Sequence, residues 1–341
     1  MSDPYGDRHA ARRAEREEQR LAAQRQRRIV AVTALAVGVL IVIVVAVSAL
    51  GGGGGGSSRS SSSSADRASG AKGRGDSGRG APGPAAAPLK PVPRSKRNVP
   101  VPILMYHLIN DPPPNAPLPE LYVAKADFAA QMKWLKDNGY QAVTEQQVYD
   151  LWKKGTPLPG KGKPVVVSFD DGFRSIRTNA FPVLKRLGWK GVVNLQGNIF
   201  TKQDEGGMSE RDVQDLVDGG WELDAHSITH PDLTTLGDAE LKQEVAGVRA
   251  QLSRKFKVPV NFFCYPAGRY DERVVAAVKD AGYLGATTTN FGNAARDQLL
   301  VMNRVRINRS DGPDGFAQKM QGLDGQPAAP APVSFGGAGG A

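Results

Sequence analysis

The sequence predicts an α/β domain in which helices cover a parallel sheet, and three observations point there. Between residues 99 and 324, short apolar runs of strand length alternate with segments whose apolar side chains recur at helical spacing. Capping residues and glycines punctuate the helical segments. Acidic residues and histidines fall just after several apolar runs, where a parallel sheet, open or closed into a barrel, presents its reactive groups.

The strand-like runs are 103–106, 164–169, 192–195, 221–225, 262–265, 285–288 and 305–307. Between the first two, Phe128, Met132 and Leu135 share one helix face and Gly139 follows as a stop. Thr144 with Gln147, and Ser209 with Asp212, have the spacing of capping boxes. A helical segment from 182 to 187 ends at Gly188, and one from 271 to 280 ends at Gly282. Over 238–256, Leu241, Val245, Val248 and Leu252 form one apolar stripe.

Residues 1–28 form a polar, arginine-rich tail, and 29–50 contain no charged residue. As a helix, 29–50 would reach roughly 33 Å, about the hydrocarbon thickness of a bilayer. The basic cluster just before it predicts an N-terminus in the cytoplasm and the rest of the chain outside, held by a single-pass anchor in the cell membrane. Val47-Ser48-Ala49 would serve as a cleavage site, but the long charged leader fits a retained anchor better. Residues 51–98 are rich in Gly, Ser, Pro and Arg and predict a disordered linker; 325–341 predict a flexible tail.

Residues 1–100 carry 17 Lys+Arg against 7 Asp+Glu, whereas 101–341 carry 27 of each. The net charge therefore belongs to the N-terminal third, and the neutral remainder gives no reason to expect nucleic acid as a partner. No specific protein partner is indicated. The single cysteine, Cys264, excludes a disulfide framework within the chain.

The run 164–169 ends in Asp170-Asp171-Gly172. Two adjacent carboxylates at a strand end either form a turn or share a cation that offsets their repulsion. A second group, His226-Ser227-Ile228-Thr229-His230, follows another strand. Two histidines four residues apart converge on one ion if the backbone curls as in a helical turn; otherwise they are a surface pair. The three histidines beyond residue 100 are His107, His226 and His230, all close after strand-like runs. Asp171 with His226 and His230 would make a site of three protein ligands with open positions, the catalytic rather than the structural arrangement.

The segments 168–172 and 226–230 resemble the first two motifs of the polysaccharide deacetylase family, the NodB-homology or carbohydrate esterase 4 group. The segment 262–270 resembles its third motif. The opening 102–107 resembles the start of a circularly permuted branch that includes poly-N-acetylglucosamine deacetylases. The resemblance covers roughly residues 100–310. It implies an irregular (β/α) barrel, a divalent metal (zinc, with cobalt or nickel as alternatives) and an N-acetylated extracellular or cell-wall polysaccharide as substrate.

By position, the resemblance makes Asp171, His226 and His230 the metal ligands, Asp170 the general base and His107 the general acid. The backbone N–H of Ala267 would stabilise the oxyanion. Where the third motif usually supplies an arginine that orients the base, this sequence has Cys264, leaving Arg174, Arg304 and Arg306 as substitutes. Tyr265, Tyr270 and Phe173 stand either as sugar-stacking rings or as packing. The activity expected is hydrolysis of N-acetyl groups from N-acetylglucosamine residues, with release of acetate. An O-acetyl glycan esterase and an inactive wall-binding module are the alternatives.

Overall fold

The computed structural model describes residues 90–327. Ten strands appear: β1 (Ile103–Tyr106), β2 (Leu108–Ile109), β3 (Tyr122–Val123), β4 (Tyr140–Ala142), β5 (Lys163–Phe169), β6 (Val192–Leu195), β7 (Glu222–Ala225), β8 (Phe262–Cys264), β9 (Gly285–Phe291) and β10 (Met302–Arg306). The main sheet runs β1-β10-β9-β8-β7-β6-β5-β4, and β5 pairs with β1 as well, so the sheet closes on itself. Every pairing in it is parallel. The expected barrel is therefore present, and the opening strand β1 sits between the last strand, β10, and β5.

All seven expected strands form, with ends displaced by a few residues at most. Both capping boxes are made: Thr144 starts the helix Glu145–Lys154 and Ser209 starts Glu210–Asp218. The expected helix over 238–256 is interrupted by a π turn, Gln243–Gly247. Strand β4 and the helix Gly312–Leu323 carry no clear sequence signal. Three glycines and Pro313 hide that helix, but Phe316, Met320 and Leu323 are spaced to bury one face. Its Phe316 ring meets Trp134 of the helix Lys125–Asp137, edge to face at 5.9 Å.

The side-chain alternation of β5 builds the two sides of the barrel wall. Val165, Val167 and Phe169 join the outer core between sheet and helices. Val166 joins the inner core with Ile103, Val192, Phe262 and Met302. Val148, Leu151 and Trp152 of the helix Glu145–Lys154 complete that inner cluster. Ser168 and Asp170 continue the inward row of Val166, so the interior becomes polar toward the carboxyl ends of the strands. There the chemistry must lie.

The folded chain begins before the expected boundary at residue 99. Val92 N–H donates to the Gly155 carbonyl at 2.8 Å, and Trp152 Nε1 donates to the Val99 carbonyl at 2.9 Å. Residues 90–98 thus lie along the domain rather than in the linker expected from the sequence. The expected tail 1–28, the anchor 29–50, the remaining linker and the tail from 328 onward lie outside the described residues. Among the described residues no helix is long and apolar enough to cross a membrane.

Candidate metal and acid–base site

Just past β5 the backbone turns sharply. Asp171 has φ 73° and Gly172 φ 99°. A Cβ at Gly172 would come within 2.4 Å of Leu195, so only glycine fits there. The turn directs Asp170 and Asp171 to different partners.

Asp171 faces the two histidines after β7. His226 Nε2 lies 3.5 Å and His230 Nε2 3.7 Å from the same oxygen, Asp171 Oδ1. These separations are too long for good hydrogen bonds. They suit a cation bound between the three atoms at roughly 2.0–2.2 Å from each. His226 is buried and its Nδ1 pairs with the Cys264 carbonyl at 2.8 Å. A carbonyl only accepts, so Nδ1 carries the proton and the Nε2 lone pair is free for a metal. The donor set therefore fits a divalent ion such as zinc.

The histidines do not converge through a helical turn, as the sequence suggested. Ser227 has φ 59° and His230 φ 60°. Glu244, in the π turn, holds the loop by accepting from the N–H groups of Ile228 and Thr229 at 2.7 and 2.9 Å. Gln196 Nε2 donates to Asp171 Oδ1 at 2.8 Å, and Lys202 Nζ donates to Gln196 Oε1 at 3.2 Å. Nothing in the sequence marked Gln196 or Glu244 for these positions.

Asp170 points into the barrel and is buried. Arg304 binds both its oxygens, each at 2.8 Å, and Asn194 Nδ2 donates to Oδ1 at 2.8 Å. Of the three candidate arginines it is Arg304 that contacts Asp170; Cys264, at the third-motif position, has its thiol 3.6 Å from Asp170 Oδ2. Arg174 instead reaches the Gln203 carbonyl on the surface, and Arg306 lies beyond Arg304 on β10. Burial alone would raise the Asp170 carboxyl. The charge and hydrogen bonds of Arg304, with His226 and His107 nearby, hold it well below the usual carboxylate range.

His107 follows β1 and lies on the other side of Asp170, with Nε2 3.9 Å from Asp170 Oδ2. Burial lowers its pKa; Asp170 and Asp171 pull upward, Arg304 and Arg306 downward, and the net shift is down. Its Nδ1 is buried with no hydrogen-bond partner among the described residues. Ala267 is exposed at φ 52° in the short turn Pro266–Gly268 after β8. Four of the six non-glycine residues with positive φ among the described residues are Asp171, Ser227, His230 and Ala267. Strain of this kind concentrates where a site over-determines the backbone.

Asp170, His226 and Cys264 also bring ligand atoms within 4.8 Å of one another. Arg304 already occupies both Asp170 oxygens and the Cys264 carbonyl occupies His226 Nδ1, so this group is the poorer cation site. Tyr265 and Tyr270 are buried and stacked on each other at 5.0 Å, which makes them packing rather than a sugar platform. Phe173 is half-buried against the outer core.

Comparison with known proteins places this arrangement in a family. The sequence pattern described as polysaccharide deacetylase matches residues 158–286. YxkH of Bacillus subtilis, named for the same family, is 32% identical over 216 residues, spanning 63% of this chain and 74% of that protein. The polysaccharide deacetylase BC0361 from Bacillus cereus superposes with a TM-score of 0.57 at 32% identity, over 65% of this chain and 69% of that one. The Streptococcus pyogenes deacetylase PplD, solved in complex with acetate, superposes with a TM-score of 0.60 at 27% identity, over 65% of this chain and 99% of that one.

The chain belongs to the polysaccharide deacetylase family. Within it lies similarity to the poly-beta-1,6-N-acetyl-D-glucosamine N-deacetylase of Staphylococcus aureus, 26% identical over 222 residues, 58% of this chain and 73% of that protein. The family pattern begins after His107 and ends before Arg304. The barrel itself brings those two residues to the site.

Proposed function

We propose that the protein hydrolyses the N-acetyl groups of N-acetylglucosamine residues in an extracellular or cell-wall polysaccharide and releases acetate. The observation that carries this reading is the pairing of two roles in adjacent residues. Asp171 meets His226 and His230 as a cation site, while Asp170 is held apart by Arg304 and faces His107. The N-deacetylase name of the Staphylococcus aureus relative, and acetate in the PplD complex, support the substrate and the product.

Asp171, His226 and His230 would hold the metal. When bound, a divalent cation polarises the acetyl carbonyl and lowers the pKa of water beside it. Asp170, kept ionised and fixed in direction by Arg304, takes the proton from the attacking water. By its position in the third motif, the N–H of Ala267 would donate to the developing oxyanion. His107, across Asp170, delivers a proton to the departing amine, which is otherwise a poor leaving group. Asn194 and Gln196 keep the two carboxylates in their separate orientations.

We place the domain outside the cell, tethered through residues 29–50, because the basic tail precedes that apolar run. Acetate release from N-acetylglucosamine oligomers, set against release from acetylated xylan, tests the chemistry. Release from the first supports amide hydrolysis, release from xylan alone assigns an ester hydrolase, and metal binding without release from either assigns a binding module.

A further inference from the structure

Gln196 follows directly on strand β6, and the chain then loops past the cation site. The N–H groups of Gly197 and Asn198 donate to the carbonyls of Ser227 and Ile228 at 2.9 and 3.0 Å, which ties this loop to the one carrying the histidines. A short turn, Ile199–Thr201, brings Lys202 back toward Gln196. The Lys202 backbone is held on both sides. Its N–H donates to the Ile199 carbonyl, and its own carbonyl accepts from Glu205 and Gly207. Lys202 is half-buried while its neighbours Thr201 and Gln203 are exposed. Its ammonium has no carboxylate partner among the described residues, and its side-chain hydrogen bond goes to Gln196 Oε1 at 3.2 Å.

Gln196 therefore stands between two groups of fixed polarity. An ammonium only donates, and an ionised carboxylate only accepts. The amide has one workable direction, with Oε1 toward Lys202 and Nε2 toward Asp171. Turned over, it would set its NH2 against the ammonium and its oxygen against the carboxylate, and both hydrogen bonds would be lost. The oxygen that receives Nε2 is Asp171 Oδ1, the same one that faces His226 and His230. Gln196 is buried, so water is a poor substitute for either contact.

We propose that Lys202 is a positioning residue for the cation site: it locks the Gln196 amide, and the amide holds Asp171 Oδ1 toward the ion. The metal part rests on the reading of Asp171, His226 and His230 as the ligands. The other role open to a lysine so placed is plain repulsion of the cation, and the two roles have opposite signs. As a charge, Lys202 opposes the ion, and its removal strengthens binding by at most about fivefold for a half-exposed group in salt. As a lock it supports a ligand, and loss of such support weakens binding by about tenfold to 100-fold. The lock outweighs the charge.

Calorimetric zinc titration of the metal-stripped full chain compares K202M, K202R, Q196A and the double variant Q196A/K202M with the unaltered protein, with folding checked by thermal melting. K202M should weaken zinc binding by about threefold or more, although it removes a positive charge. K202R, which keeps a charged donor, should weaken it less. In the Q196A background K202M should give no further weakening, because the amide through which Lys202 acts is gone. Zinc held equally or more tightly by K202M overturns the proposal, and so does an equal weakening in both backgrounds.

The side-chain amide of Gln196, followed by NMR in the metal-free chain, needs neither metal nor turnover. Its exchange with water should quicken by about threefold or more in K202M, the scale of one hydrogen bond, and stay slow in K202R. If the unaltered chain binds no zinc, the cation reading fails, and this measurement decides the lock by itself. A quickened amide in K202M upholds it, and an unchanged amide overturns it.

Discussion

Arg304 grips Asp170 through two parallel hydrogen bonds of 2.8 Å inside the barrel, across 134 residues of chain. Both side chains are almost wholly shielded from water. The pair engages one of two adjacent carboxylates and leaves the other, Asp171, facing His226 and His230.

Breaking this pair should be felt in stability as well as rate. R304Q leaves Asp170 buried without its cation, a change of about 3–5 kcal/mol for a buried ion pair losing one member. Because the Asp170 pKa is depressed in the fold, the pair contributes stability above the usual carboxylate range near 4 and loses it as pH falls. The melting temperatures of R304Q and the unaltered protein should therefore converge in acid. A gap that widens toward low pH would count against the pairing.

D170N should retain the cation site and lose turnover by about 100-fold or more, the scale of a general base. Calorimetric zinc titration beside acetate release separates the two effects. Full activity in D170N would remove Asp170 from the base role.

H107A should slow the reaction by about 100-fold or more with zinc affinity unchanged. The loss should be smaller for substrates whose leaving group needs no proton, such as activated acetyl esters. A rate equal to the unaltered protein on N-acetylglucosamine oligomers would return His107 to a packing role.

Gln196 orients Asp171 by donating to the oxygen that faces both histidines. Q196A should weaken zinc binding by about tenfold or more, as loss of such supporting contacts does. Zinc affinity within a factor of two of the unaltered protein would show that Asp171 needs no such support.

Glu145 is buried at the start of its helix, and both carboxyl oxygens lack a hydrogen-bond partner among the described residues. Burial, reinforced by Glu222, raises its pKa well above the ordinary value. A raised carboxyl favours the fold below the unfolded pKa near 4.3, and that contribution is lost as pH rises through the folded value. E145Q should therefore melt higher than the unaltered protein, by a margin that grows with pH. An equal or lower melting temperature at pH 8 would contradict this.

How much of this was legible in sequence follows from how local each signal is. Asp170-Asp171-Gly172 and the spaced His226 and His230 are short motifs, and the turn chemistry that shapes them sits in the same residues. The route of convergence was not legible, because it depends on Ser227 and His230 adopting positive φ under the hold of Glu244. Arg304 stood in sequence as one of three candidates; only closure of β10 beside β1 brings it to Asp170. Glu145 reads as an ordinary first-turn acid, and its burial is a consequence of the helix sealing the barrel. Helix Gly312–Leu323 was masked by its own glycines and proline.

The most direct measurement is acetate release from N-acetylglucosamine oligomers by the chain stripped with chelator, then given back zinc one equivalent at a time. The account predicts that stripping abolishes release and that activity returns linearly to a plateau at about one ion per chain, set by the three ligands of one site. Undiminished release from the stripped protein would contradict it.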